Sequence, residues 1–298
     1  MSARMPISHV ILALVVVAVW GTNFVVIKVA LEELPPLLFA CLRFSLAFLP
    51  AAFFLRRPDV PWRILAGYGL AIGVGQFGLL FIAMERDITP GLASVVVQMQ
   101  VFFTIGLFMW RAGERLRGFQ ILALLLGLSG IAVIAFNTDA ATTPLGIALT
   151  LGAALSWAFG NLAGRAAGGV NMLAFVVWSS LFAVPPLLLL SLGLEGWPQI
   201  SASVASASAG AWAAVAWQAA GNSLFGYGIW AWLHQRHAAA QVSPMALLVP
   251  LFGIGASVIL LGEPFPLWKA AAAALIVAGL AIGVLWPILS GPRAEKRR

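Results

Sequence analysis

Nine stretches of the chain carry no charged side chain: 10–27, 64–84, 88–110, 118–138, 140–164, 166–194, 196–233, 238–262 and 270–292. A further apolar stretch, 34–55, is interrupted only by Arg43. Crossing the bilayer hydrocarbon takes about 20 apolar residues in a helix, so each run predicts one transmembrane helix. The run 196–233 is too long for one span. Its front holds Pro198, Gln199, Ser201, Ser203, Ser206 and Ser208 and reads as a loop, which puts the helix start near Gly210. The pattern predicts an all-α integral membrane fold of ten helices.

The two halves match each other. Shifting the sequence by 137 positions brings Trp20 onto Trp157 and Lys28 onto Arg165. A shift of 149 brings Gly113-Glu114 onto Gly262-Glu263 and Gly130 onto Gly279, with the extra residues falling in a longer loop around 195–209. Each copy has five spans, and an odd number turns the next copy upside down. The expected organisation is therefore a first five-helix repeat over 10–138, an inverted repeat over 144–288, and a basic cytoplasmic tail over 289–298. Inverted repeats of this kind are typical of secondary transporters, which hold substrate at the repeat interface near mid-bilayer.

Composition agrees with a membrane protein. The chain is 62% hydrophobic and 9% charged, with mean hydropathy +1.00, whereas soluble domains carry roughly a quarter charged residues. The net charge of +7 sits in short clusters between apolar runs, so it reads as membrane orientation, with no nucleic-acid partner expected. With the N-terminus inside, 13 of the 17 Lys and Arg fall on the cytoplasmic side and seven of the ten acids fall outside. This is the positive-inside pattern, and it predicts an inner-membrane protein with both termini cytoplasmic. No small-x-small cleavage site follows the first span, so it is expected to stay as a helix. The single Cys41 excludes an internal disulfide.

Several segments resemble the drug/metabolite transporter superfamily, in its two-repeat, ten-helix exporter branch. Trp20-Gly21-Thr22-Asn23-Phe24 is similar to that family's first-span signature, and Pro35 through Arg43-Phe44 resembles its second. Pro250-Leu251-Phe252, Leu261-Gly262-Glu263-Pro264 and Gly279 resemble its closing motifs, while the first copy has Val101 where the second has Pro250. Length and tryptophan content are similar to the group exporting aromatic amino acids and cations such as paraquat. The resemblance implies a carrier of small amphipathic metabolites, with a cavity framed by helices other than the last of each repeat.

Polar side chains in hydrocarbon are costly unless they face protein or water, which makes them functional candidates. Here they are mostly neutral amides: Asn23, Gln76, Gln98, Gln100, Asn161, Gln218 and Asn222. An amide both donates and accepts, so it can hold an ammonium and a carboxylate without fixed charge. The alternative role is hydrogen bonding between helices. Gln218 with Asn222, and Ser94 with Gln98, are spaced to share a helix face. Among the tryptophans away from span ends, Trp20, Trp157 and Trp178 are substrate-site candidates. The first two hold equivalent repeat positions and are expected on two sides of a central pocket, where an indole face also attracts cations. Arg43 is expected either to bind a carboxylate or to pair with Glu32 or Glu33. Lys28 and Arg165 are expected to snorkel to opposite interfaces. Gly69/Gly73, Gly160/Gly164 and Gly279/Gly283 have the spacing that lets helices approach closely.

No acid or histidine is expected inside a span, where a proton relay would need one. The chain has no Gly-x(4)-Gly-Lys-Ser/Thr cradle, no metal-ligand cluster and no nucleophile-base-acid set at membrane depth. No cofactor is therefore expected. The reading is a secondary transporter exporting amino acids or similar small amphipathic solutes, by alternating access with facilitated diffusion or exchange. A membrane-embedded transferase, a proton-coupled multidrug exporter and a channel are the alternatives.

Overall fold

The computed structural model describes residues 5–112, 117–138, 141–237 and 239–289, and every regular element among them is a helix. The first half supplies α1 (Ile7–Leu31), α2 (Pro36–Ala52), α3 (Trp62–Arg86), α4 (Pro90–Arg111) and α5 (Gly118–Phe136). The second supplies α6 (Pro144–Ala166), α7 (Met172–Leu194), α8 (Ala209–Arg236), α9 (Pro244–Leu261) and α10 (Leu267–Leu289). Eight of these are long and apolar enough to cross a membrane by themselves, α8 passes together with the helix before it, and α2 is shorter at 17 residues. The first-copy partner of Gly262-Glu263, Gly113-Glu114, lies outside the described residues. So do Arg115, Asp139 and positions 290–298 of the basic tail.

Helix starts follow local chemistry. Pro36, Pro90 and Pro144 occupy first-turn positions, where a missing N–H costs nothing. Thr143, Asn171 and Ser208 cap α6, α7 and α8 by accepting from Gly146, Ala174 and Ala211 N–H. The segment before α8, expected as a loop, is a helix (Trp197–Ser206) bent by 103° from α8. Its serines are compatible with a helix because Ser201 and Ser206 return their hydroxyls to backbone carbonyls of the same helix.

The packing obeys the repeat. α1 lies against α9 and α8, and its counterpart α6 lies against α4 and α3. α2 packs on α7, α4 on α9 and α5 on α10, each pair joining counterparts. Exchanging the two halves therefore reproduces the neighbour pattern, as a twofold relation requires. Helix irregularities repeat as well. α3 widens to a π-helix at Leu70–Gly78 and α8 at Gln218–Tyr227, and there Ala71, Gly73, Phe77 and Gly78 align with Ala219, Gly221, Phe225 and Gly226. α4 tightens to a 3-10 turn at Val97–Met99 and the start of α9 at Ser243–Leu248. Val101 in place of Pro250 thus does not spare the first copy its break.

Close approaches fall where small residues allow them. A Cβ on Gly69 would meet the Ser179 carbonyl, and one on Gly279 the Ala123 carbonyl, so α3 sits directly on α7 and α10 on α5.

One end of the bundle is laced together by carboxylates, each joining the two halves. Glu33 accepts from the Ser208 N–H and hydroxyl at the start of α8, and these donors hold its carboxyl below the usual range. Glu195 accepts from the Leu37 and Leu38 N–H groups at the start of α2 and from Ser191. Burial nevertheless pushes its carboxyl up. Asp87 accepts from the Thr143 hydroxyl at the start of α6. Glu263 accepts from Thr89 and the Gly91 N–H at the start of α4 and pairs with Lys269 at 2.9 Å, both side chains being buried. Gly262, at φ 64, turns the chain so that Glu263 drops into this position. Anions at helix N-termini complete orphan N–H groups and favour the macrodipole. One expectation changes here: Glu33 is engaged with Ser208 and does not meet Arg43. Lys28 extends to the end of α3, where it donates to the Met84 and Glu85 carbonyls.

Candidate functional site

Between the two halves lies a cavity of about 560 Å³, within the usual range for small-molecule sites. α1, α3 and α4 face α6, α8 and α9 across it. α5 contributes nothing to the wall, as expected, but α10 contributes Leu280 and Val284. The cavity begins beside Ile27 and Leu80 and runs away from the carboxylate-laced end to half-buried Gly164, Met172 and Ala246. These last residues lie at the opposite ends of their helices, so the cavity leads to that side.

Eight of the ten expected site residues line it: Trp20, Asn23, Gln76, Gln98, Gln100, Trp157, Asn161 and Asn222. Two do not. Gln218 is fully buried behind the wall, where its Oε1 accepts from Asn23 and Asn222, each at 3.4 Å. Trp178 lies in the first third of α7, beside the end of α2 and the start of α3; its Nε1 donates to the Leu55 carbonyl at 2.9 Å and its ring packs on Phe48 and Trp62. Ser94, spaced to share a helix face with Gln98, does not line the cavity, and its hydroxyl turns back to the Gly91 carbonyl.

The amides form two groups. On one side Asn161 donates to Gln100 Oε1 at 2.9 Å and to Thr104 Oγ1 at 3.0 Å, linking α6 to α4. On the other, Asn23, Gln218 and Asn222 join α1 to α8. Asn23 Oδ1 and Gln76 Oε1 are buried without a protein partner, in two residues that line the cavity. Buried acceptors of this kind are costly unless something donates to them. Aromatic surface supplies the rest. Trp20 packs against Tyr227 and Trp230 at 5.6 and 5.1 Å between ring centres, and its Nε1 donates to the Asn222 carbonyl. Phe24, Tyr68, Phe77, Tyr227 and Trp230 were not singled out from the sequence as site residues. Their aromatic character resembled that of residues elsewhere in the spans, and only packing assigns them to the cavity.

Among the described residues, no Asp, Glu, Lys, Arg or His side chain borders the cavity. Among the described residues no group of three or more His, Cys, Asp or Glu could hold a metal ion. The arrangement can bind a solute by neutral hydrogen bonds and aromatic contact.

A model of the EamA-like transporter family matches residues 7–136 and 144–285, one match in each half. Among curated proteins, the "Probable amino-acid metabolite efflux pump" of Salmonella typhimurium is 42% identical, covering 92% of this chain and 93% of its own. The protein of the same name in Escherichia coli strain K12 is 40% identical, over 92% and 94%. The "Uncharacterized inner membrane transporter YedA" of Escherichia coli is 31% identical over 52% of this chain and 55% of its own. One solved crystal structure superposes with a TM-score of 0.62 at 20% identity, covering 96% of this chain and 100% of that one, and shows the shared fold.

Proposed function

Because the chain belongs to the EamA-like transporter family, we propose that it exports amino acids or similar small amphipathic metabolites across the inner membrane by alternating access. The observation that carries the reading is the cavity between the halves, lined by neutral amides that can both donate to and accept from a zwitterion and by aromatic rings. The relatives named as amino-acid metabolite efflux pumps support it. The remaining amides offer donors for a carboxylate, and the aromatic wall suits an apolar side chain. The cross-half carboxylate bonds close the outer end, so the solute enters from the cytoplasmic side and leaves when those bonds part.

Counterflow tests the reading. Liposomes preloaded with one amino acid should take up the labelled form faster than empty ones, and a panel identifies which solutes compete. No counterflow with any amino acid or amino-acid derivative in the panel would overturn it.

Coupling follows from the side chains at the cavity. A proton-driven carrier binds its proton where both gates can reach it, and among the described residues the cavity wall carries no carboxylate or imidazole. Transport is then facilitated diffusion or exchange. An imposed pH gradient with no solute gradient should give no accumulation, and uphill uptake under it would overturn this part.

The proposed orientation puts both termini and the 53–61 loop in the cytoplasm, with the helix Trp197–Ser206 outside. In a Cys41→Ala background, Ser201→Cys should react with an impermeant maleimide added outside, and Arg57→Cys should not. The reverse labelling would contradict it.

A further inference from the structure

Arg43 sits at mid-helix in α2, 1% exposed. It meets no carboxylate: among the described residues the ion pairs are Arg86 with Glu85 and Lys269 with Glu263. One of its nitrogens, Nη2, donates to Ser223 Oγ at 3.1 Å, while Nε and Nη1 are buried with no partner. The guanidinium lies 3.5 Å from the Phe77 ring centre and 5.0 Å from that of Phe44. Beside it is a void of about 10 Å³ bordered by Ser179, Ser180, Ser223, Tyr68 and Tyr227. The Ser179 hydroxyl is also buried without a partner. Ser180 and Ser223 are committed, donating to the Val176 and Gln218 carbonyls.

An arginine cannot escape burial by losing its proton. An uncompensated buried cation costs several kcal/mol even after relaxation, and stacking on aromatic rings returns only about 2 kcal/mol. Arg43 and Ser179, which between them carry three unused donors (Nε, Nη1 and the Ser179 hydroxyl), border a space the size of one small atom or water molecule. A water could take some of these hydrogen bonds but would leave the charge uncancelled. Tyr68 and Tyr227 border both this void and the main cavity, so a ligand would reach it between the two phenols.

We propose that Arg43, with Ser179, forms a site for one monovalent anion, either a free halide or the carboxylate oxygen of a small acid. The site sits where α2, α3, α7 and α8 converge, so both halves contribute to it. It does not depend on the transport reading, and its test reads binding alone.

The experiment is thermal unfolding of the purified full-length protein in detergent, followed by tryptophan fluorescence. Sodium gluconate is replaced stepwise by sodium chloride, or in a second arm by sodium formate, at constant ionic strength. The midpoint should rise saturably, by about 3 °C at ten times the half-saturating concentration. Chloride acting alone identifies a halide site, and formate acting alone or alongside chloride identifies a site that accepts carboxylate. Arg43→Gln should abolish the rise. Ser179→Ala keeps the charge and the fold, and should raise the half-saturating concentration roughly tenfold. A wild-type midpoint indifferent to both anions, or an unchanged half-saturating concentration in Ser179→Ala, would overturn the proposal.

Discussion

Glu263→Ala should lower the unfolding midpoint on the order of 10 °C. The carboxylate receives the Lys269 ammonium, the Thr89 hydroxyl and the Gly91 N–H. Lys269 is 4% exposed, so alanine leaves a buried cation with no counter-charge. It also uncaps the start of α4. Losing one member of a buried pair costs about 3–5 kcal/mol, whereas replacing both by apolar residues is often close to neutral. Glu263→Gln combined with Lys269→Met should therefore unfold at a higher temperature than Glu263→Ala. Midpoints for wild type, the single variant and the double variant, measured in one detergent, check this. A single Glu263→Ala change within about 2 °C of wild type would mean that the pair does not hold the outer end.

Leucine at both Asn23 and Gln76 should raise the half-saturating solute concentration at least about 100-fold. Both amides line the cavity, and a hydrogen bond to a charged group contributes about 1.5–3 kcal/mol. Each substitution alone should then cost about tenfold or more. Trp178→Phe is the control. Trp178 lies off the cavity, so transport should stay near wild type although its bond to the Leu55 carbonyl is lost. Concentration dependence of counterflow separates the cases. Equal losses in the Trp178 variant and the amide pair would point to general destabilisation.

Much of the fold was legible because hydrocarbon imposes strict rules. Charge-free runs located the spans, and the start of α8 fell at Ala209, one residue from the expected Gly210. The repeat was legible from a few ordered matches. The π-helical segments were not, because an added residue per turn leaves no mark in hydropathy and neither segment contains a proline. The carboxylates were placed at span ends, yet their roles were hidden. Glu33 meets Ser208 and Glu195 meets Leu37 across more than 150 residues of chain, and helix N-termini attract anions whatever their sequence origin. Eight of the ten candidates named from residue type and depth lie in the cavity wall. Trp178 lies off the cavity because its ring fills the space between the end of α2 and the start of α3, a contact no local pattern discloses. Gln218 failed because an amide that bridges two others has the same sequence signature as one that meets a solute. Arg43 was visible as an anomaly, but its surroundings come from four helices in both halves, which no local pattern discloses.

The central claim is that the solute occupies the cavity between the halves. Protection of a cysteine placed in its wall tests this most directly. Val101 borders the cavity and is half-buried. In a Cys41→Ala background, Val101→Cys should react with a maleimide, and a solute active in counterflow should slow that reaction in proportion to its occupancy. An inactive solute should leave the rate unchanged. Undiminished labelling at a concentration that saturates transport would contradict the account.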